Sequence, residues 1–328
     1  MRVMAGDIGG TSTRLAWFDV DGATLTVCAE SRFASREFGS LTEIVGGFAS
    51  EQGMTADRAC FGIAGPVREG KVATPNLPWT VDGTDLARTL GLPSVTIIND
   101  LESNAYGIPL LGEGDLHVLN PGQRDPAGNI AVVSAGTGLG EALAFREGEG
   151  YRPIACEAGH ADFAPRNELE TELLLYLRAE HGRVSYERVV SGPGLRNLYR
   201  FLRDVRRIPE SPAVAEMMRS GDPSAVISQA ALEGTCPLCR QALDLFISLY
   251  GAEAGNAALR YLATGGVYVG GGIAPKIIEA LKGPAFMMAF TAKGRLGPLL
   301  EAIPVKVILN DRTALLGAGR CASLKAPC

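Results

Sequence analysis

Short apolar runs broken by glycine turns open this chain, and longer stretches of helical period take over past its midpoint. Residues 2–34 read as strands. Val3-Met4-Ala5 leads into a turn at Gly6-Asp7-Ile8-Gly9-Gly10-Thr11, and Leu15-Ala16-Trp17-Phe18 leaves it. Asp21-Gly22 makes the next turn, and 23–29 alternates. Residues 41–52 predict a helix, 59–64 a short strand ending at Gly65-Pro66, and 82–90 a helix stopped by Gly91 and Pro93. Val95-Thr96-Ile97-Ile98 is a buried strand that delivers Asn99 and Asp100, with a helix over 101–111 behind it. The stretch 112–129, rich in Gly, Pro and Asp, marks a domain change near residue 111. A second strand–turn–strand then repeats the layout of the first: 130–133, a glycine turn over 135–140, and 142–145. From 168 to about 262 the pattern is mainly helical. Leu173, Leu174 and Leu177 make one apolar face; Leu238, Ala242, Leu245 and Leu249 make another behind Pro237. A strand at 267–269 runs into Gly270-Gly271-Gly272 and a helix from Pro275; a strand at 305–309 and a helix at 313–323 close the pattern. This alternation predicts an α/β architecture with ligand groups at strand ends.

Size and composition narrow the function. The 328 residues suffice for two domains, and 46% hydrophobic against 20% charged residues supports a sizeable core. A formal net charge of −5 without blocks of like charge counts against a nucleic-acid partner. No run of about 18 apolar residues occurs, so no membrane partner is expected. The apolar stretch between Arg2 and Asp7 is too short for a signal peptide, which predicts a cytoplasmic protein. Seven scattered cysteines do not form a disulfide framework. Cys236 and Cys239 form a C-x-x-C, but no second pair lies nearby and His160 and His181 are distant in sequence. Structural thiols at a helix start are therefore favoured over a zinc or redox site.

The chemistry lies in the turns. Glycines without Cβ atoms let backbone N–H groups approach an anion, and two such turns suit a polyphosphate. Asp7 would repel bare phosphate; it fits if a divalent cation sits between carboxylate and phosphates. Taken alone, the first turn is also a tight hairpin with an Asp at a turn position; the second turn favours a magnesium–nucleotide site. Gly270-Gly271-Gly272 suits close approach of a purine or its ribose, or simply a positive φ. A carboxylate at Asp100, at the carboxyl end of a strand, is placed to take a proton from an alcohol attacking phosphate, and capping the next helix is compatible with that. Glu157, His160 and Asp162 lie among small residues in a loop suited to a hydroxyl-rich ligand. As metal ligands they lack a cysteine cluster to complete a four-ligand site. Glu187 carries no signal by itself.

Taken in order, GDIGGT at 6–11, FGIAGPV at 61–67, IIND at 97–100, SAGTGLG at 134–140, CEAGHADFAP at 156–165, ERVVSGPGL at 187–195 and GGVYVGGGI at 265–273 resemble the motifs of bacterial hexokinase-type glucokinases. These are ATP-dependent members of the sugar kinase–actin–Hsp70 superfamily, and the resemblance runs from Gly6 to Gly319. It implies an α/β, two-domain actin-like ATPase (ribonuclease H-like) fold with an interdomain active-site cleft. A small domain, residues 1–110, would be completed by about 303–328, and a large domain would span 111–302. The reaction implied is transfer of the ATP γ-phosphoryl group to the 6-hydroxyl of D-glucose, the first step of glycolysis. Asp100 would be the general base. Asn99, Glu157, His160 and Glu187 would hydrogen-bond the sugar. Asp7, Gly9, Gly10 and Thr11, with Gly136, Thr137 and Gly138, would hold the phosphates of Mg-ATP, Asp7 reaching Mg2+ through water. Gly270, Gly271 and Gly272 would face the adenosine. A homodimer is also implied.

Two departures stand out. Cys156 and Ala158 flank Glu157 where glycine is usual. The cysteine-rich zinc motif of the related repressor–kinase branch is missing between 161 and 235, as is an N-terminal extension for a helix-turn-helix. Rival readings are a kinase for another hexose or an N-acyl hexosamine, an actin- or Hsp70-like ATPase without a sugar, and a sugar-sensing regulator without turnover. Asn99-Asp100 and the Glu157/His160 loop speak against the ATPase, and Asp100 against the regulator.

Overall fold

In the computed structural model, residues 1–74 and 77–324 are described; the end of the expected C-terminal segment, 325–328 with Cys328, lies outside them. The chain begins with β1 (Arg2–Ile8), β2 (Ser12–Asp21), β3 (Thr24–Ala34), α1 (Leu41–Gln52) and β4 (Arg58–Ile63). Next come β5 (Lys71–Ala73), β6 (Thr80–Asp82), α2 (Gly83–Leu90), β7 (Thr96–Asn99) and α3 (Asp100–Gly107). Four strands follow, β8 (Leu116–Asn120), β9 (Ile130–Ala135), β10 (Leu139–Glu147) and β11 (Gly150–Cys156). Five helices follow these: α4 (Glu168–His181), α5 (Gly192–Asp204), α6 (Pro212–Ser220), α7 (Pro223–Leu232) and α8 (Pro237–Tyr261). The last elements are β12 (Gly266–Gly270), α9 (Ile278–Leu281), α10 (Pro284–Thr291), α11 (Gly297–Ala302), β13 (Val305–Ile308) and α12 (Thr313–Ser323). Packing divides them into two units. The first holds Met1–Asp115, Ala142–Ala155 and the segment from Asn310 onward; the second holds Leu116–Glu141 and Cys156–Leu309.

In the first unit the sheet runs β3-β2-β1-β4-β7, antiparallel between β1 and β2 and parallel from β1 through β4 to β7. Period-two alternation sends successive side chains to opposite faces. Met4, Trp17 and Phe61 meet Ile44 and Phe48 of α1 on one face. Val3, Ala5, Phe18 and Cys60 meet Leu315 and Ala318 of α12 on the other. A sheet covered on both faces fixes its strand ends firmly, and the candidates Asp7, Asn99 and Asp100 sit at those ends. The helix expected over 101–111 stops at Gly107 and tightens into a 3-10 turn over Ile108–Leu110, where Pro109 lacks an N–H.

The other large sheet runs β11-β10-β9-β12-β13-β8, with β12 parallel to both β9 and β13 and β8 antiparallel to β13. The stretch 112–129 also holds β8, a strand that the sequence pattern did not predict. Leu116–Asn120 is a short strand flanked by turn-forming residues, and its partner β13 lies far along the chain, so the sequence nearby does not reveal it. The helix expected from Pro275 is also broken: a 3-10 turn over Ala274–Ile277 leads into four-residue α9, and Gly283-Pro284 starts α10 afresh. Helix α8 is the axis of the second unit, buried on nearly every side. Cys236 caps it, its sulfur accepting from the Cys239 N–H at 3.5 Å with both residues buried; this is the structural role the C-x-x-C reading favoured.

Candidate active site

The first unit supplies two carboxylates. Asp7 lies near the end of β1, in register with Arg14 on β2 and Gly62 on β4. Its carboxyl is pushed up to about 6, first by burial and then by the negative charge of Asp100, with Arg14 opposing. Arg14 is engaged elsewhere, since its Nη2 donates to Asp311 Oδ2 at 2.8 Å and its Nε lies 3.9 Å from Glu30. After Asp7 the chain turns at Gly9, Gly10 and Thr11. Gly9 N donates to Ser12 O at 3.0 Å, Ser35 N donates to Thr11 O at 3.1 Å, and Ser35 Oγ donates to Gly9 O at 2.9 Å. The turn is thereby pinned from the end of β3.

Asn99 ends β7, and Asp100 opens α3. Both side chains bind the helix start, Asn99 Oδ1 accepting from Leu101 N at 2.9 Å and Asp100 Oδ1 at 3.0 Å. Asn99 Nδ2 also donates to Gly65 O at 3.2 Å, so this buried amide joins β7 to the Gly65-Pro66 turn. Capping therefore orients Asp100 at the strand end.

The second unit holds the remaining candidates. The turn at Gly136, Thr137 and Gly138 links β9 to β10, closed by Gly136 N donating to Gly138 O at 2.8 Å. Gly271 follows β12 with φ +82° and packs on this turn; a Cβ there would stand 2.2 Å from Ala135 O, so only glycine fits. Ile273 N donates to Ala135 O at 3.2 Å, which fixes the triplet Gly270, Gly271 and Gly272 to the turn. Next to it opens a cavity of about 890 Å³, of the size of a ligand site, whose lining includes Gly136, Thr137 and Gly272.

Glu187 connects this turn to the Glu157 loop. Its Oε2 accepts from Leu139 N at 3.1 Å, and its Oε1 lies 4.0 Å from His160 Nδ1. Glu157 and His160 are themselves exposed, in the 3-10 turn after β11. Asp162, the third candidate in that loop, pairs with Arg183 at 2.7 Å. Among the described residues no group of three or more His, Cys, Asp or Glu is arranged to hold a metal. Cys156 turns inward: its thiol donates to Glu141 O at 3.3 Å and lies 3.4 Å from the Tyr261 hydroxyl. A side chain where glycine is usual is thus taken into the unit instead of obstructing the loop.

The sequence model of the glucokinase family matches residues 4–325. This chain belongs to the glucokinase family. It is 43% identical to a glucokinase of Nostoc sp. and 44% identical to one of Nostoc punctiforme, in each case over 98% of both chains. The crystal structure of a glucokinase from an Antarctic psychrotroph superposes with a TM-score of 0.86 at 33% identity, covering 98% of each chain. The fold is the two-domain actin-like ATPase fold of these kinases, and the chain is a sugar kinase that uses ATP.

Within the glucokinase frame, sequence reasoning passed over part of the cavity wall. Arg188, Arg196 and Lys276 line it, together with Gly192 and Pro193 at the start of α5. A helix N-terminus, two arginines and a lysine suit an anion. The signal was the placing of Arg188 and Arg196 on either side of Ser191-Gly192-Pro193-Gly194, a capped helix start between two cations.

Proposed function

We propose that this chain phosphorylates D-glucose at its 6-hydroxyl, converting ATP and glucose into ADP and glucose 6-phosphate. One observation supports this over a sugar-independent ATPase: Glu187 rests on the glycine turn beside the cavity and faces His160 of the hydroxyl-recognition loop. Phosphate-binding and hydroxyl-binding groups adjoin within one unit, as a kinase for a polyol requires.

In this reading Asp100 accepts the proton of the 6-hydroxyl as that oxygen bonds to the γ-phosphorus. The bond to the β-bridging oxygen breaks, and ADP leaves. Little covalent chemistry falls to the protein, so positioning and electrostatics dominate. Asn99 holds Asp100 in place and, with Glu157, His160 and Glu187, binds ring hydroxyls. Gly9, Gly10, Thr11, Gly136, Thr137 and Gly138 offer backbone to the phosphates; Gly270, Gly271 and Gly272 face the adenosine. Asp7 fits a magnesium ion: the negative charge of Asp100 adds to burial in raising its pKa while Arg14 only partly opposes this, so a cation there would be favoured. Magnesium is held by one or two carboxylates plus phosphates and water, and it would offset phosphate charge during transfer. We read the two packing units as the small and large domains. The homodimer rests on the family resemblance and the cytoplasmic location on the expectation from the sequence; light scattering tests the first and fractionation the second.

A coupled assay of ADP release decides the matter. Release should depend on glucose, with N-acetylglucosamine at least about tenfold poorer in kcat/KM. ADP release indifferent to sugar would favour the actin- or Hsp70-like reading, and equal use of N-acetylglucosamine a hexosamine kinase.

A further inference from the structure

We infer that Tyr250 is a positioning residue for the nucleotide: its hydroxyl, carried by α8, holds the two glycine turns of the cavity in register. Tyr250 is fully buried and is not among the residues lining the cavity. Its oxygen accepts from Ala135 N at 3.1 Å. Its single proton serves two carbonyls, Val133 O at 2.9 Å and Gly270 O at 3.0 Å. One hydroxyl therefore joins the last residues of β9 to the last residue of β12.

The location explains the need. The parallel ladder between β9 and β12 ends at the pair Ser134 and Gly270. Ala135, the last residue of β9, lies one residue beyond that pair, where its N–H has no partner in β12. Tyr250 supplies one, buried where an unsatisfied group is costly. Ala135 is also the point on which the triplet rests, since Gly271 packs against it and Ile273 N bonds to its carbonyl. A shift at Ala135 thus moves the phosphate turn and the adenosine turn together. The ring itself is clamped edge-on by Phe246 and Phe286, with centroids 5.9 and 5.8 Å away, so α8 fixes the hydroxyl. A misplacement of about an ångström matters in phosphoryl transfer, where alignment carries much of the rate.

The inference rests on the reading of the cavity as the ATP site, and its test separates the two. Tyr250→Phe keeps the ring and removes the hydroxyl. Tyr199→Phe is the control: Tyr199 is equally buried in the same unit, but its hydroxyl bonds to Glu210 Oε1 at 3.1 Å, away from the turns. Calorimetry should give an ATP Kd weakened by about tenfold in Tyr250→Phe and unchanged in Tyr199→Phe, with the glucose KM within about twofold of wild type in both. Hydrogen exchange of the peptide covering 130–139 should be faster in Tyr250→Phe alone. Equal ATP affinity and equal exchange in the two variants, at equal loss of melting temperature, would overturn the inference. Faster exchange without ATP binding by the wild type would uphold the tie between the turns while removing the proposed function.

Discussion

The Glu187 carboxylate occupies the space that a side chain at Gly138 would need. A Cβ at position 138 would lie 2.6 Å from Glu187 Oε2, the same oxygen that accepts from Leu139 N. The glycine turn is short of side chains here because a carboxylate from another element fills the gap. Gly138→Ala should push Glu187 aside and disturb both substrates, lowering kcat/KM for glucose by about tenfold or more. Near-normal kinetics for this variant would mean that Glu187 takes no part in binding.

Asp100 is held by the start of α3, so Asp100→Asn changes the acid–base chemistry with little change of shape. The expected loss is about 10²–10⁴ in kcat, with ATP binding retained. Single-turnover and nucleotide-titration measurements separate these. A variant keeping more than about a tenth of wild-type kcat would remove the general-base assignment.

Asp7 gives a prediction whose sign follows from its pKa, raised from 3.8 to about 6. Folded protein holds this proton more tightly than unfolded chain does. The contribution to stability therefore falls as pH rises across that window, and the ionised carboxylate is a cost above it. Asp7→Asn should melt higher than wild type at pH 7 without divalent cations, and the gap should close below pH 4. Activity should drop, and the remainder should need more magnesium. A variant less stable than wild type at pH 7 in chelator would contradict this account.

Glu141 makes a second and larger case. It is fully buried beside Glu253, and its carboxyl is pushed up to about 9, mainly by burial and then by that neighbour, against the pull of Arg260. The raised pKa means that stability is lost as pH climbs from 4.5 towards 9. Glu141→Gln, neutral at every pH, should flatten that slope, with its advantage in melting temperature greatest near pH 9. Parallel slopes for wild type and variant would show that Glu141 is already ionised at neutral pH.

Much of the fold was legible because period and punctuation agreed. Ser40 and Gly53 bracket α1, Asp82 and Gly91 bracket α2, and each pair acts as its residue types predict. What escaped depended on partners distant in sequence. Leu116–Asn120 becomes a strand only because Val305–Ile308 lies beside it. In the candidate site, the placing of Asp7, Asp100 and the glycine turns at strand ends was readable, since apolar runs lead directly into them. Glu187 was not: nothing around it announces that its carboxylate reaches Leu139. Arg188, Arg196 and Lys276 drew no assignment from the sequence; the cavity brings them together.

The proton held by Glu141 also alters how the whole molecule moves in an electric field. The formal charge of −5 counts this carboxyl as ionised. Folded, with its pKa pushed up to about 9, it favours the neutral form at pH 7, so the native protein should carry less negative charge than its composition states. Near the sequence pI of about 5.4, Asp7 also withholds part of its charge. Native isoelectric focusing should therefore place the band above the composition value, and focusing in concentrated urea should return it there, so that the shift between the two gels reports the electrostatic cost of the folded interior.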